Sequence, residues 1–83
     1  MSAKESLRII NKPFLTAKDV AYLNECSRTK AYDIIEVVRA AFPNRVVPFG
    51  SQIRTVDYLA TYDLNKEDYV QAAELEREYL EAK

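Results

Sequence analysis

Apolar residues recur at helical spacing through the middle of the chain. They fall at i, i+3, i+4, i+7, i+10 and i+11, the period that gathers side chains on one face of an α-helix. These residues are Ala31, Ile34, Ile35, Val38, Ala41 and Phe42. Ser27 is a suitable N-cap, and Pro43 with Asn44 ends the pattern because proline lacks the helical N–H. The pattern predicts one long amphipathic helix.

A shorter helix is predicted just before it, at about residues 16–24. Thr16 is followed three residues later by Asp19, a spacing that resembles a capping box. Only Asn24, Glu25 and Cys26 separate this helix from the cap of the next, so the two helices must meet through a tight turn. We expect Asn24 to take the left-handed backbone of that turn, because asparagine tolerates it better than most residues.

The flanks of these two helices have weaker patterns. Residues 1–14 carry apolar side chains interrupted by Pro13 and predict a short element or an extended arm. Two runs rich in β-branched residues, 45–48 and 52–54, surround Phe49, Gly50 and Ser51. Gly50 is the one glycine and stands where a turn would need a permissive backbone, so we predict a small β-hairpin.

Two further helices are predicted towards the C-terminus. Thr55 is a candidate cap for a short helix that carries Val56, Leu59 and Ala60. Asn65 precedes a final helix that reaches about Ala82, whose broad apolar side consists of Tyr69, Ala72, Ala73, Leu75, Tyr79 and Leu80. The fold class that these elements predict is mainly α with a small β-hairpin.

Composition narrows the classes of function. The chain has 83 residues, 48% hydrophobic and 30% charged, which suits one folded domain. It has no histidine and one cysteine, so it lacks a structural zinc set and the base of a Ser-His or Cys-His nucleophile. We therefore expect no enzyme activity and no cofactor. No apolar run reaches the length of a membrane span, which predicts a cytoplasmic protein with no membrane partner.

Charge is divided unevenly along the chain. Residues 1–54 hold nine Lys or Arg against five acids, a net charge of +4, whereas residues 55–83 hold three against eight, a net charge of −5. A basic face can attract phosphates whatever the overall charge, because attraction depends on the local field. The alternative, that both are ordinary solvated surfaces, stays open at this point.

A helix, a three-residue turn and a second helix opening in polar and basic residues form a helix-turn-helix pattern. The runs Thr16–Ala21 and Cys26–Ala31 resemble the helix-turn-helix of phage and mobile-element regulators, including excisionase-like and MerR-like proteins. The resemblance implies a single winged helix-turn-helix domain over residues 1–83. The helix-turn-helix would occupy about 16–42, the wing about 45–54 and the C-terminal helices 55–82.

The resemblance also implies double-stranded DNA as the partner and the second helix as the element that enters the major groove. Arg28 suits a guanine edge, Thr29 a thymine methyl or a phosphate, and Tyr32 a phosphate. Ser27 lies at a helix N-terminus, which favours a phosphate. The full set of candidate DNA-binding residues is Lys18, Ser27, Arg28, Thr29, Lys30, Tyr32, Arg45, Ser51, Gln52 and Arg54.

The expected function is directionality control in recombination, as in excisionases, or transcription regulation, in the cytoplasm of a bacterial host cell. Candidate protein partners are a recombinase, a polymerase or a second copy bound through the C-terminal helix. The alternative function is a protein-interaction module, such as an antirepressor or an assembly factor, whose acidic surface engages a basic partner. Charge reversal at Arg28, compared with changes at Glu74, Glu76 or Glu78, would separate the two functions.

Overall fold

The computed structural model describes residues 2–82, which form five helices and one two-stranded sheet. In chain order the elements are α1 (Ala3–Ile10), β1 (Phe14–Leu15), α2 (Ala17–Asn24), α3 (Arg28–Ala41), β2 (Ile53–Arg54), α4 (Thr55–Thr61) and α5 (Lys66–Glu81). The expectation of a mainly helical fold with a small antiparallel sheet is confirmed. The residues of uncertain type near the N-terminus form a helix, α1, which Ser2 caps by accepting a hydrogen bond from the Glu5 amide.

The sheet pairs strands that lie far apart in the chain. β1 runs antiparallel to β2, with Phe14 opposite Arg54 and Leu15 opposite Ile53. Residues 45–48 form no strand, so the predicted local hairpin is wrong. Pairing with β1 brings Leu15 and Ile53 together in the core, which a hairpin within the loop would not do. Gly50 does not have a positive φ either, so it is not the permissive turn residue that we expected.

The residue with left-handed backbone in the turn between α2 and α3 is not the one that we predicted. Thr16 and Asp19 form the expected capping box at the start of α2. The left-handed residue is Glu25, at φ 50° and ψ 47°, whereas Asn24 is the last residue of α2. The Cys26 amide donates to Ala21 O and the Glu25 amide to Tyr22 O, the two bonds of a Schellman motif. That motif fixes where the chain leaves α2.

The core forms where α1, α2, α3, the sheet and α4 meet. Its fully buried large side chains are Leu15, Val20, Ile35 and Val38. In α4 the predicted cap is wrong: Thr55 is buried and its hydroxyl donates to Lys12 O, while Arg54 is the N-cap residue. The buried residues of α4 are Thr55, Asp57 and Tyr58, whereas Val56 is 65% exposed. Polar residues therefore form part of the face that α4 turns to the core.

Helix α5 attaches to the rest of the fold chiefly through α1. The Glu76 carboxylate accepts hydrogen bonds from the Ala3 and Lys4 amides, at 2.8 and 3.3 Å, and from the Ser2 hydroxyl. These bonds satisfy amides at the start of α1 that have no partner within the helix. The predicted final helix is confirmed, but none of its residues is buried.

Candidate nucleic-acid interface

The start of α3 presents polar side chains outward while its apolar side faces the core. Ser27 is the N-cap, and its hydroxyl accepts a hydrogen bond from the Lys30 amide at 3.2 Å. Of the predicted apolar stripe, Ala31, Ile35 and Val38 are buried, whereas Ala41 is exposed. The candidate residues at the start of the helix are all exposed: Arg28, Thr29, Lys30 and Tyr32.

The exposed cations at the starts of α2 and α3 have no ion-pair partner along the stretch that the structure describes. Within residues 2–82, Arg28, Lys30 and Lys18 appear in no salt bridge and in no side-chain hydrogen bond. Unpaired guanidinium and ammonium groups at the start of a helix are available to an external anion, and the helix dipole there adds to the attraction. We call Ser27, Arg28, Thr29, Lys30 and Tyr32 the α3 surface, whereas Lys18 lies at the start of α2.

The arginines of the predicted wing, in contrast, have partners within the protein. Arg45 Nε lies 3.2 Å from Oδ1 of Asp57, whose side chain is only 4% exposed. The Arg45 guanidinium also stands over the Phe42 ring, 5.2 Å from the ring centroid. The Arg54 guanidinium donates to Val46 O at 3.1 and 3.2 Å. These contacts tie the chain between α3 and β2 to α4 and to itself. Both arginines already have internal partners that a phosphate would have to replace.

A hollow of about 210 Å³ separates the end of α3 from this connection. Arg39, Arg45 and Arg54 border the hollow, together with Gln52 and the buried Asp57. Gln52 Oε1 is buried and has no hydrogen-bond partner in the described chain, while Ser51 is exposed. The sequence did not predict that Arg39 lies near Arg45 and Arg54. Their proximity depends on how the chain between α3 and β2 folds back towards α3.

The capping box of α2 also carries an ion pair. Lys12 Nζ lies 2.7 Å from Asp19 Oδ2, and the Thr16 amide donates to the same oxygen at 3.0 Å. Burial alone would raise the pKa of Asp19, but the bonds from Lys12 and Thr16 outweigh it and hold that pKa below its ordinary 3.8. Asp19 therefore stays ionised at neutral pH and joins the end of α1 to the start of α2.

The described residues also bear on metal binding, on the role of the cysteine and on membrane insertion. Over residues 2–82, no group of three or more His, Cys, Asp or Glu side chains is arranged to hold a metal ion. Cys26 is half-buried and packs against the core, as a small apolar residue does. In the same part of the chain, every helix is too short or too polar to cross a membrane.

Comparison of this chain with protein-family models, with curated proteins and with solved structures finds no match.

Proposed function

We propose that this chain is a double-stranded DNA-binding domain of the helix-turn-helix class, with α3 as the recognition helix and α2 as the supporting helix. The observation that carries the proposal is the α3 surface: Arg28 and Lys30 are exposed and have no ion pair within the described part of the chain, on a helix whose opposite side is buried. Arginine and lysine bind phosphates and guanine edges, and a helix fits the major groove. Asp33 and Glu36, exposed on later turns, would repel phosphates and limit insertion to the start of α3.

The two regions of the predicted binding surface contribute unequally in this proposal. The α3 surface is ready to bind because its cations have no partner among residues 2–82. Arg45 and Arg54 form a second region that contacts the backbone only after exchanging its present partners, Asp57 and Val46 O. A winged arrangement is therefore proposed with the connection between α3 and β2 as an irregular wing. Its cellular role would be recombination directionality or transcription regulation in a bacterial cytoplasm.

The test is fluorescence anisotropy of the full chain with duplexes tiled from its own genetic locus, at several salt concentrations. We expect one tile to bind tightly, with a log–log salt slope of roughly −3 to −6 for about that many phosphate contacts. Arg28→Glu should weaken binding by at least about ten-fold, since it replaces an attraction with a repulsion. Equal, weak binding to all tiles would overturn sequence-specific recognition.

Lys66→Glu is the matched control, because it makes the same change of charge at an exposed lysine that opens α5 instead of α3. Its effect should be smaller than that of Arg28→Glu, because Lys66 lies outside the α3 surface, although it borders the same hollow as Arg54. Circular dichroism would establish that both variants keep the helical content of the unmodified chain. Equal losses of affinity in both variants would show that total charge, and not docking of α3, governs binding.

A second candidate function is protein interaction through α5. The observation that favours it is that Leu75, Tyr79 and Leu80 are 66%, 63% and 62% exposed on a helix with no buried residue. An apolar surface of this kind is typical of a docking site. Under this function, an antirepressor or assembly factor, Arg28→Glu would leave partner binding unchanged and substitution of Glu74 or Glu78 would weaken it.

A further inference from the structure

The chain between α3 and β2 exposes an uncharged, largely apolar segment. Phe49 is 67% exposed and Val46 is 76% exposed, and Pro48 beside Phe49 is exposed as well. Keeping a whole aromatic ring in water is unfavourable, and exposed rings are enriched where a protein contacts another molecule. We call residues 46–51 the tip.

The tip is exposed, yet hydrogen bonds hold both of its ends. The Arg54 guanidinium donates to Val46 O at 3.1 and 3.2 Å. The Gln52 amide donates to Phe49 O at 3.0 Å, which closes a four-residue turn. Because the turn that carries the Phe49 ring is already ordered, binding through this ring costs less conformational entropy than binding through a flexible loop.

The tip lies along the side of α3 that carries Arg28. A Cβ at Gly50 would be 3.9 Å from Arg39 Nη2, so the tip lies next to the Arg39 side chain. Arg28 and Arg39 are eleven positions apart on α3, close to three turns of about 3.6 residues, and therefore project in the same direction. Their separation along the helix axis is about 16 Å, at about 1.5 Å per residue.

Charge around the tip favours an anionic partner. Positions 37–56 hold three arginines and no acid. Two acids from outside this stretch pair with them, the exposed Glu36 with Arg39 and the buried Asp57 with Arg45. Three arginines against two acids leave one net positive charge beside the exposed ring. DNA combines an anionic backbone with flat apolar base faces, and an aromatic ring with arginines nearby suits that combination.

We propose that Phe49 inserts between two base pairs from the minor groove of the DNA that α3 contacts, an inference that rests on the proposed function and deepens it. With the start of α3 in the major groove, the next minor groove lies about half of the helical repeat of about 34 Å away, or about 17 Å. The separation of about 16 Å between Arg28 and Arg39 fits that distance. Insertion of Phe49 also leaves Arg45 and Arg54 with their internal partners.

Insertion predicts a preference for particular base steps. An apolar wedge must partly unstack the two base pairs that it enters. Pyrimidine–purine steps such as TA and CA are the most easily unstacked, so the DNA facing the tip should favour them without any hydrogen bond to a base edge. Phe49 would thus determine sequence preference at a position that α3 does not reach.

The experiment uses Phe49→Trp, because the chain has no tryptophan of its own. Leu75→Trp is the matched control, since Leu75 is 66% exposed on α5 and Phe49 is 67% exposed. Each variant is mixed with the duplex that binds most tightly by anisotropy, and tryptophan emission is followed as acrylamide, a quencher of exposed rings, is added. The complex should reduce quenching of Phe49→Trp at least about three-fold and leave that of Leu75→Trp unchanged, because insertion shields the ring.

The possible failures separate this inference from the proposed function. Unchanged quenching of Phe49→Trp in a complex that anisotropy shows to have formed would overturn insertion and leave DNA binding by α3 standing. A chain that binds no duplex would overturn both. Protection of Phe49→Trp by phosphatidylglycerol vesicles, without protection by DNA, would assign the tip to a lipid surface and overturn insertion.

A second readout comes from the DNA. The probe is the same duplex with 2-aminopurine, whose emission rises on unstacking, in place of the adenine of a TA or CA step. The unmodified chain should raise this emission, whereas Phe49→Ala should not and should bind at least about five-fold more weakly through lost stacking. Val46→Ala, at a 76% exposed residue of the same tip, is the control and should keep the rise in emission. Loss of the rise in both variants alike would overturn the assignment to the Phe49 ring.

Discussion

Helices α3 and α5 have similar lengths, 14 and 16 residues, yet the tertiary structure uses them differently. α3 buries Ala31, Ile35 and Val38 among α2, the sheet and α4, which leaves its polar side for an external partner. α5 buries no residue, and Leu75 remains 66% exposed. The comparison shows that an apolar stripe predicts a helix without predicting what covers the stripe.

The difference has a simple geometric cause. α5 packs chiefly on α1, a helix of 8 residues, while α5 itself has 16. At about 1.5 Å per residue, α1 is about 12 Å long and cannot cover a helix of about 24 Å. α3 instead lies against several elements at once. We expect substitutions in α3 to change the stability of the whole domain, and equivalent substitutions in α5 to act locally.

The largest expected contrast is between Ile35→Ala and Leu75→Ala. Ile35 is 1% exposed, so its truncation should lower the free energy of unfolding by about 2 to 5 kcal/mol through lost burial and a cavity. Leu75→Ala should change it by no more than about 0.5 kcal/mol, because most of the side chain is already hydrated. Urea unfolding at low protein concentration measures both. Equal losses would show that α5 belongs to the same cooperative core.

The helix caps provide a second, smaller contrast. The Ser27 hydroxyl caps α3 by accepting from the Lys30 amide, and Asn65 Oδ1 caps α5 by accepting from the Glu67 amide. Ser27→Ala should cost about 1 kcal/mol of global stability, because the lost hydrogen bond lies in the cooperative unit. Asn65→Ala should cost less than about 0.5 kcal/mol globally and should mainly accelerate amide hydrogen exchange in α5. The reverse order of costs would contradict the comparison.

The turns leading into the two helices should respond to glycine. Glu25 and Asp63 are the residues with positive φ among 2–82, at 50° and 52°, and each follows the end of a helix. Glu25→Gly should stabilise the domain by about 1 kcal/mol, since glycine adopts this backbone without steric cost. Asp63→Gly should add about 0.5 kcal/mol, because aspartate already tolerates the conformation better. Thermal unfolding of both variants measures the gains, and destabilisation by Glu25→Gly would show that its side chain outweighs backbone strain.

The smallest predicted effect is a pH-dependent loosening of α5. Hydrogen bonds from the Ala3 and Lys4 amides lower the pKa of Glu76 below its ordinary 4.5. Because the pKa is lower in the folded protein, the ionised Glu76 stabilises the fold fully when the pH is above its ordinary pKa. This stabilisation is lost as the pH falls through the lowered pKa of the folded protein. NMR titration should show the Ala3 and Lys4 amide shifts moving in that range.

Glu76→Gln is the control for this titration, because glutamine keeps an accepting oxygen but does not ionise. The amide shifts of Ala3 and Lys4 should then no longer follow the acid titration. Asp19, whose pKa is also lowered, should still affect α2 in both proteins. Retention of the full titration at Ala3 and Lys4 in the variant would show that Glu76 is not the group responsible.

Local signals were enough to predict most helices. The spacing from Ala31 to Phe42 predicted α3, the Thr16–Asp19 capping box predicted the start of α2, and Asn65 predicted the start of α5. These signals succeed because a helix is stabilised by residues three and four positions apart, which a sequence displays directly. The exposure of Arg28, Thr29, Lys30 and Tyr32 followed from the same periodicity.

Short-range patterns suffice to predict the mainly helical fold, the position of α3 and its outward polar residues, because these depend on neighbours within one or two helical turns. Long-range packing sets the pairing of Ile53 with Leu15, the ion pair of Arg45 with Asp57, and the exposure of α5. Those outcomes depend on residues 12 or more positions apart, or on the lengths of packed elements. Their energies appear only once the chain has folded back on itself.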